Sequence, residues 1–226
     1  MDDSNYIDMD LALAKKMYAG FTAFDVETTG LSPDRDRIVE LGVVKFRNGK
    51  PRSRFTTFVS QPVPISPGAR AVNQITDQML AGAPSEADVM DMLVTWAPEI
   101  ITGEEILVAH NASFDIGFLG NALDRAGIDA TFTSCDTLAA ARQLIAGPRN
   151  YKLPTLAAYL GIPVSESHRA AADAETCGRL MVEMLKALGA DQQPAPATKR
   201  RRTLADRIWD ALDRAAVKHL KKKGQL

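Results

Sequence analysis

Ala23-Phe24-Asp25-Val26-Glu27-Thr28-Thr29-Gly30-Leu31 is the stretch on which the reading of the chain turns. Together with Gly20 and Phe21 its apolar residues predict a buried strand that stops at Gly30. Side chains alternate along a strand, so Asp25 and Glu27 share one face and Val26 takes the other. Neighbouring carboxylates repel, and burying them is costly unless a partner compensates. A hard divalent cation such as Mg²⁺ prefers carboxylate oxygens and removes both costs. Solvated acids at a strand end are the alternative, and further acids and a base elsewhere in the chain would decide against it.

Outward from this strand, Ile38 to Phe46 is rich in β-branched residues and is followed by Asn48-Gly49, a strong hairpin signal. Phe55 to Val59 returns as a third strand, giving a meander whose first member carries the acids. Residues 60–68, with Pro62, Pro64 and Pro67, are expected as a loop. A helix is expected over 86–101 with Ser85 as its N-cap. Ile106 to Ala109 makes a short buried strand, and Phe114, Phe118, Leu119, Ala122, Leu123 and Ala126 mark the core face of the helix after it. Phe132 falls on a brief strand, Asp136 caps a helix over 137–146, and a helix over 153–160 ends at Gly161-Ile162-Pro163. The last core helix spans about 170–188 with Cys177, Leu180, Met181, Met184 and Leu188 on its apolar stripe. Asp173, four residues before Cys177, falls on that stripe and needs a partner. Glu175, Arg179, Glu183 and Lys186 take the polar face.

The chain has 226 residues, 46% hydrophobic and 24% charged, enough for one sizeable α/β domain with extensions. Its expected organisation is an N-terminal helical extension (1–19, with Ile7, Leu11, Ala14, Met17 and Tyr18 at helical spacing), a main domain (20–189), a linker with a basic run (190–203) and a basic amphipathic C-terminal helix (204–226). No apolar stretch approaches the roughly 20 residues of a membrane helix. Met1-Asp2-Asp3 does not open a secretory leader, and Cys135 and Cys177 give neither a disulfide framework nor a zinc set, so a cytoplasmic setting is expected. The net charge of −1 hides an asymmetry, with residues 1–190 at −7 and residues 191–226 at +6. The basic tail is either a solvated extension or a source of phosphate contacts that are blind to sequence.

Four carboxylates stand out: Asp25, Glu27, Asp115 in His110-Asn111-Ala112-Ser113-Phe114-Asp115, and Asp173. Asp115 is otherwise a first-turn acid favoured by the helix dipole. His110 and His168 each precede an acid by five residues. Asp-x-Glu, then His-Asn-Ala-x-Phe-Asp, then His-x4-Asp resembles the DEDDh (DnaQ-like) 3′→5′ exonucleases, typified by the epsilon proofreading subunit of bacterial DNA polymerase III. The resemblance covers about residues 20–188 and extends to Thr28-Thr29-Gly30-Leu31, Ile38-Val39-Glu40-Leu41-Gly42 and Asp136-Thr137-Leu138-Ala139. Arg169 stands where the tyrosine variant of the superfamily would place Tyr, so the histidine version is the match.

The resemblance implies an α/β, RNase H-like fold, a mixed five-stranded sheet flanked by helices. It implies two Mg²⁺ ions, for which Mn²⁺ substitutes: Asp25, Glu27 and Asp173 hold one, and Asp25 shares the second with Asp115. Paired cations about 3.5–4 Å apart activate a water and stabilise the leaving oxygen of a phosphodiester. His168, in the loop before the last helix, would be the general base, its ordinary pKa of about 6.5 suiting it to neutral pH. His110 is expected to be structural. Thr28, Thr29 and Leu31 are expected to touch the terminal nucleotide, as are Asn111 and Phe114, the latter equally explained as core. The implied substrate is the single-stranded 3′ end of a nucleic acid, DNA favoured, with a DNA polymerase subunit as a possible partner and no membrane. An exoribonuclease of the oligoribonuclease or RNase T kind shares the same acids, and an inactive polymerase-associated scaffold would have been free to lose them. Asn73-Gln74 stand where many epsilon-like members have His-Gly, and no clamp-binding peptide is found.

Overall fold

The computed structural model describes residues 10–164 and 169–192. The expectations for residues 1–9, for His168 and for the linker and basic helix from 193 onward lie outside the described residues. The elements are α1 (Leu11–Ala19), β1 (Gly20–Thr28), β2 (Ile38–Arg47), β3 (Lys50–Phe58), α2 (Pro67–Asn73), α3 (Asp77–Leu80), α4 (Glu86–Trp96), α5 (Pro98–Ile101), β4 (Ile106–Ala109), α6 (Ala112–Arg125), β5 (Thr133–Asp136), α7 (Thr137–Leu144), α8 (Leu153–Tyr159) and α9 (Ala170–Ala187).

The expected meander is present. Asn48 and Gly49 adopt positive φ of 52° and 67°, the pair of left-handed residues that a tight hairpin between twisted strands requires. β1 pairs antiparallel with β2, and β2 with β3. On its other side β1 pairs parallel with β4, and β4 with β5, giving the order β3-β2-β1-β4-β5. The acid-bearing strand is therefore the centre of a mixed five-stranded sheet.

One face of the sheet packs against α1, α7, α8 and α9, through residues such as Phe21, Phe46, Leu156, Cys177 and Met181. The other packs against α4, α5 and α6, through Phe24, Val26, Leu41, Leu93 and Phe118. Alternation along β1 explains the split: Phe21 and Ala23 meet the first layer, Phe24 and Val26 the second.

Several boundaries differ from expectation for local reasons. The first helix begins at Leu11, opened by Asp10, whose carboxylate accepts the Leu13 N–H at 2.7 Å. Leu11 is thereby left exposed while Ala14 and Met17 are buried. Residues 60–68 are not all loop, because Ser66 caps α2 and Pro67 sits at its first turn, where its missing N–H has no role. The helix expected over 86–101 opens at Ser85 with a capping box to Asp88, but it breaks at Ala97-Pro98 into α4 and α5. Phe132 precedes β5 instead of lying on it.

Candidate active site

Strand order reverses where β4 joins β1, and in open α/β sheets such a reversal leaves a crevice at the carboxyl ends of the strands. Asp25 and Glu27 lie near the carboxyl end of β1, two residues apart on the face toward α9. Asp173 lies in the first turn of α9. One carboxylate oxygen from each of Asp25, Glu27 and Asp173 falls within 4.8 Å of the others, a grouping able to hold a metal ion. Asp115 arrives from the opposite layer, on the first turn of α6 just after β4. It is buried, and its Oδ1 accepts the Val26 backbone N–H at 3.2 Å.

Burial raises the Asp25 pKa far above the ordinary carboxylate value, and the charges of Asp115, Asp173 and Glu27 add to it. Glu27 is pushed up to about 7, first by burial and then by Glu40 and Asp173. Asp115 is raised as well, chiefly by burial. Converging oxygens that resist ionisation together fit a divalent cation, whose charge inverts this local balance.

Among the described residues, His110 is not part of the metal-capable grouping. Its Nδ1 lies 2.9 Å from Thr137 Oγ1 and its Nε2 2.9 Å from the Tyr151 carbonyl, so it bridges α7 to the stretch before α8. Burial lowers its pKa. Asp136 caps α7, accepting the Leu138 N–H at 2.8 Å and the Asn111 N–H at 2.9 Å.

Beside the acids lies a cavity of about 650 Å³, bounded by the end of β1, by α2 and by Phe114. Glu27, Thr28, Leu31 and Phe114 line it, and Leu31 is 85% exposed at its edge. Phe114 also packs on Phe118, with ring centroids 4.9 Å apart, so the core and cavity readings of this residue both hold. Thr29 does not line the cavity: it is fully buried, accepts the Arg37 N–H at 3.0 Å and donates to Asp36 at 3.2 Å. Asn111 does not line it either, since its left-handed backbone (φ 71°) serves the turn from β4 into α6. Asp36 ties this wall together by also accepting the Ser32 N–H at 2.8 Å.

Three further residues join the site without having been singled out for it. Buried Asn73 donates to the Thr28 carbonyl at 3.2 Å, accepts the Ile75 N–H at 3.0 Å and hydrogen-bonds Glu27. Glu40 stands directly opposite Glu27 across the β1–β2 pair, and Arg169 bonds its Oε1 at 2.9 Å. The available signal was Glu40 itself, an acid inside the otherwise apolar run Ile38–Val44.

Clustered carboxylates at the carboxyl end of the central strand, on a mixed sheet with helices on both faces, are the arrangement of an RNase H-like exonuclease fold. A family model described as Exonuclease (RNase_T) matches residues 22–181, and the chain belongs to this exonuclease family. The chain is 41% identical over 169 residues to a PolC-type DNA polymerase III from Oceanobacillus iheyensis, a match covering 74% of this chain and 12% of the polymerase. It is 40% identical over 167 residues to the PolC-type DNA polymerase III of Bacillus cereus, covering 74% of this chain and 11% of that one. The chain thus spans about an eighth of the length of these relatives. Among solved structures, exonuclease X in complex with 5′ overhanging duplex DNA superposes with a TM-score of 0.61 at 29% identity, over 75% of this chain and 93% of that one. Escherichia coli exonuclease I in complex with a dA16 oligonucleotide shares the fold, with a TM-score of 0.64 at 18% identity over 77% of this chain and 41% of that one.

Proposed function

We propose that the chain is a 3′→5′ exonuclease that hydrolyses DNA phosphodiester bonds from the 3′ end and releases nucleoside monophosphates. The observation that carries this is the convergence of Asp25, Glu27 and Asp173 within 4.8 Å on an exonuclease-family fold. Asp25, Glu27 and Asp173 would hold one Mg²⁺, and Asp25 with Asp115 a second. When bound, such ions lower the pKa of water and neutralise developing phosphoryl charge. The chain's own residues do the remainder. His168, reached through the family motif, accepts the proton of the attacking water. Leu31 and Phe114 offer apolar surface to the terminal base, and Thr28 lines the same cavity. Thr29 and Asn111 support the cavity without lining it.

DNA is favoured over RNA because the relatives quoted above are DNA polymerases and exonuclease X is solved with DNA. The same matches support proofreading beside a polymerase III subunit. The test is digestion of 5′-labelled single-stranded DNA and matched RNA, with Mg²⁺, with Mn²⁺ and with chelator. A ladder shortening from the 3′ end of DNA, absent with chelator and absent in Asp25→Ala and His168→Ala, is expected. Preferential digestion of RNA would replace the DNA reading with the exoribonuclease one. Digestion of neither strand would favour the scaffold.

A further inference from the structure

Glu40 and Glu27 face each other directly across antiparallel strands. Like charges in that position destabilise a sheet, so something must hold them there. The Glu40 side chain is 4% exposed, and among the described residues its ion pair is with Arg169, Nη2 to Oε1 at 2.9 Å. The Ala170 backbone N–H, in the first turn of α9, also favours the ionised Glu40 carboxylate, and among the described residues its Oε2 makes no closer hydrogen bond. Arg169 also lies over the Phe58 ring at 4.9 Å, which fixes the guanidinium from a second side.

Arg169 is the residue that opens α9, and it has no side-chain capping bond there. Its carbonyl accepts the N–H of Ala172 at 2.9 Å and the N–H of Asp173 at 3.0 Å. A chain of bonds therefore runs from Glu40 on β2, through the Arg169 guanidinium, to the backbone of Asp173. The seat is tight. Gly42, two residues after Glu40 and on the same face, would place a Cβ 2.2 Å from the backbone of Ala170 and Ala171.

We infer that Glu40 and Arg169 are a positioning pair that seats the first turn of α9 on β2 and so sets the Asp173 carboxylate against Asp25 and Glu27. Neither residue is among the three whose carboxylate oxygens converge. The pairing rests on the exonuclease reading for its purpose, but its effect on cation binding is measurable without any substrate.

The experiment is Mn²⁺ titration of the full chain by calorimetry, for wild type, Glu40→Gln, Arg169→Gln and the double variant, each confirmed folded by circular dichroism. Arg169→Gln carries the decision. The titrations are run at about pH 8.5, because Arg169 helps keep Glu27 ionised and its loss would otherwise favour the proton over the metal. With Glu27 ionised, removing a positive charge beside a cation site tightens binding if charge is all that matters. Loss of positioning weakens it. The expectation is that Arg169→Gln weakens Mn²⁺ binding about tenfold, the scale of losing a residue that orients a ligand. Glu40→Gln should weaken it similarly, and the double variant should be no worse than the weaker single. Arg169→Lys, which keeps the charge without the fork, should fall between Arg169→Gln and wild type. Turnover should follow the metal affinity while KM for DNA stays within twofold. Tighter Mn²⁺ binding in Arg169→Gln, or losses that multiply in the double variant, would overturn the pairing. Wild type that binds Mn²⁺ yet digests no DNA would overturn the exonuclease reading, and the metal titrations then decide the pair by themselves.

Discussion

Asp115, in the first turn of α6, accepts the backbone N–H of Val26, the residue that separates Asp25 from Glu27. An acid from one helical layer is thus tied to the strand whose own acids face the other layer. The bond separates two roles of one side chain. Asp115→Asn keeps an oxygen for the Val26 N–H and loses the charge. It should remain folded, with a melting temperature at or above wild type because repulsion with Asp25 is relieved, and lose activity on the order of 10²-fold or more. Asp115→Ala leaves a buried N–H unpaired and should cost about 1–3 kcal/mol. Thermal melts and steady-state rates check both. A melting temperature for the Asn variant as low as that of Ala would show that the charge, not the hydrogen bond, holds the fold.

The raised acids make a signed prediction about pH. Glu27 moves up to about 7 in the folded chain, and Asp25 and Asp115 move the same way. A carboxyl raised on folding holds extra protons in the folded state, so stability falls as pH rises from its unfolded pKa of about 4 through its folded one. Metal-free protein should melt at lower temperature at pH 8 than at pH 6. His110, lowered by burial, acts oppositely, losing stability as pH drops below about 6.5, which bounds the optimum from the acid side. Mg²⁺ or Mn²⁺ should raise the melting temperature more at pH 8 than at pH 6, because the acids are then ionised without the cost of losing protons. Calorimetric melts in chelator and in 5–10 mM metal (about this range being saturating for a weak site) check it, and an equal metal shift at both pH values would count against the cluster as the binding site.

Asn73 links the helix beside the cavity to the acid-bearing strand. Its amide donates to the Thr28 carbonyl, accepts from Ile75 and reaches Glu27. Asn73→Ala should cost about 1–3 kcal/mol through the groups it leaves unpaired. It should also weaken metal binding, since Glu27 loses a bond that favours its ionised form. Asn73→His, the residue many epsilon-like members carry, tests whether the ring can replace these bonds. A stable Asn73→Ala protein with unchanged Mn²⁺ affinity would reduce Asn73 to a loop residue.

What was legible in the chain follows from how local each signal is. Asn48-Gly49 announced its hairpin because a type I′ turn needs two residues that tolerate positive φ, and both stand at the right place. Asp173 was legible because burying an acid on an apolar stripe requires a partner. Glu40 was not, because its partner Arg169 is 129 residues away and no periodicity encodes that distance. Asn73 was hidden in the same way, its bonds reaching back 45 residues to Thr28. Thr29 sits inside the motif yet turns inward, bonding Asp36 and Arg37, an orientation that no local pattern encodes. The α2 wall was missed since Pro67 looks like a loop residue when its role as the first residue of a helix is not considered.

Gly42 is the most economical place to move α9 without touching an acid. It lies mid-strand, with Ala170 and Ala171 backbone where a Cβ would stand 2.2 Å away. That neighbour is main chain, so it cannot swing aside as a side-chain tip would. Gly42→Ala must push the first turn of α9 off β2 or bend the strand, and overpacking of this kind costs about 1–3 kcal/mol. For a domain of this size that is a drop of roughly 2–12 °C in melting temperature, at about 2–4 °C per kcal/mol. The displaced turn carries Asp173, so Mn²⁺ affinity and turnover should fall together although no carboxylate has been removed from the chain. Gly178→Ala is the control. Its Cβ would meet the Phe46 ring at 2.2 Å, further along α9 and away from the acids. It should lose comparable stability and keep its metal affinity when assayed well below its melting temperature. Equal losses of metal affinity in both variants would mean that α9 moves as a rigid rod, and that its first turn has no seat of its own.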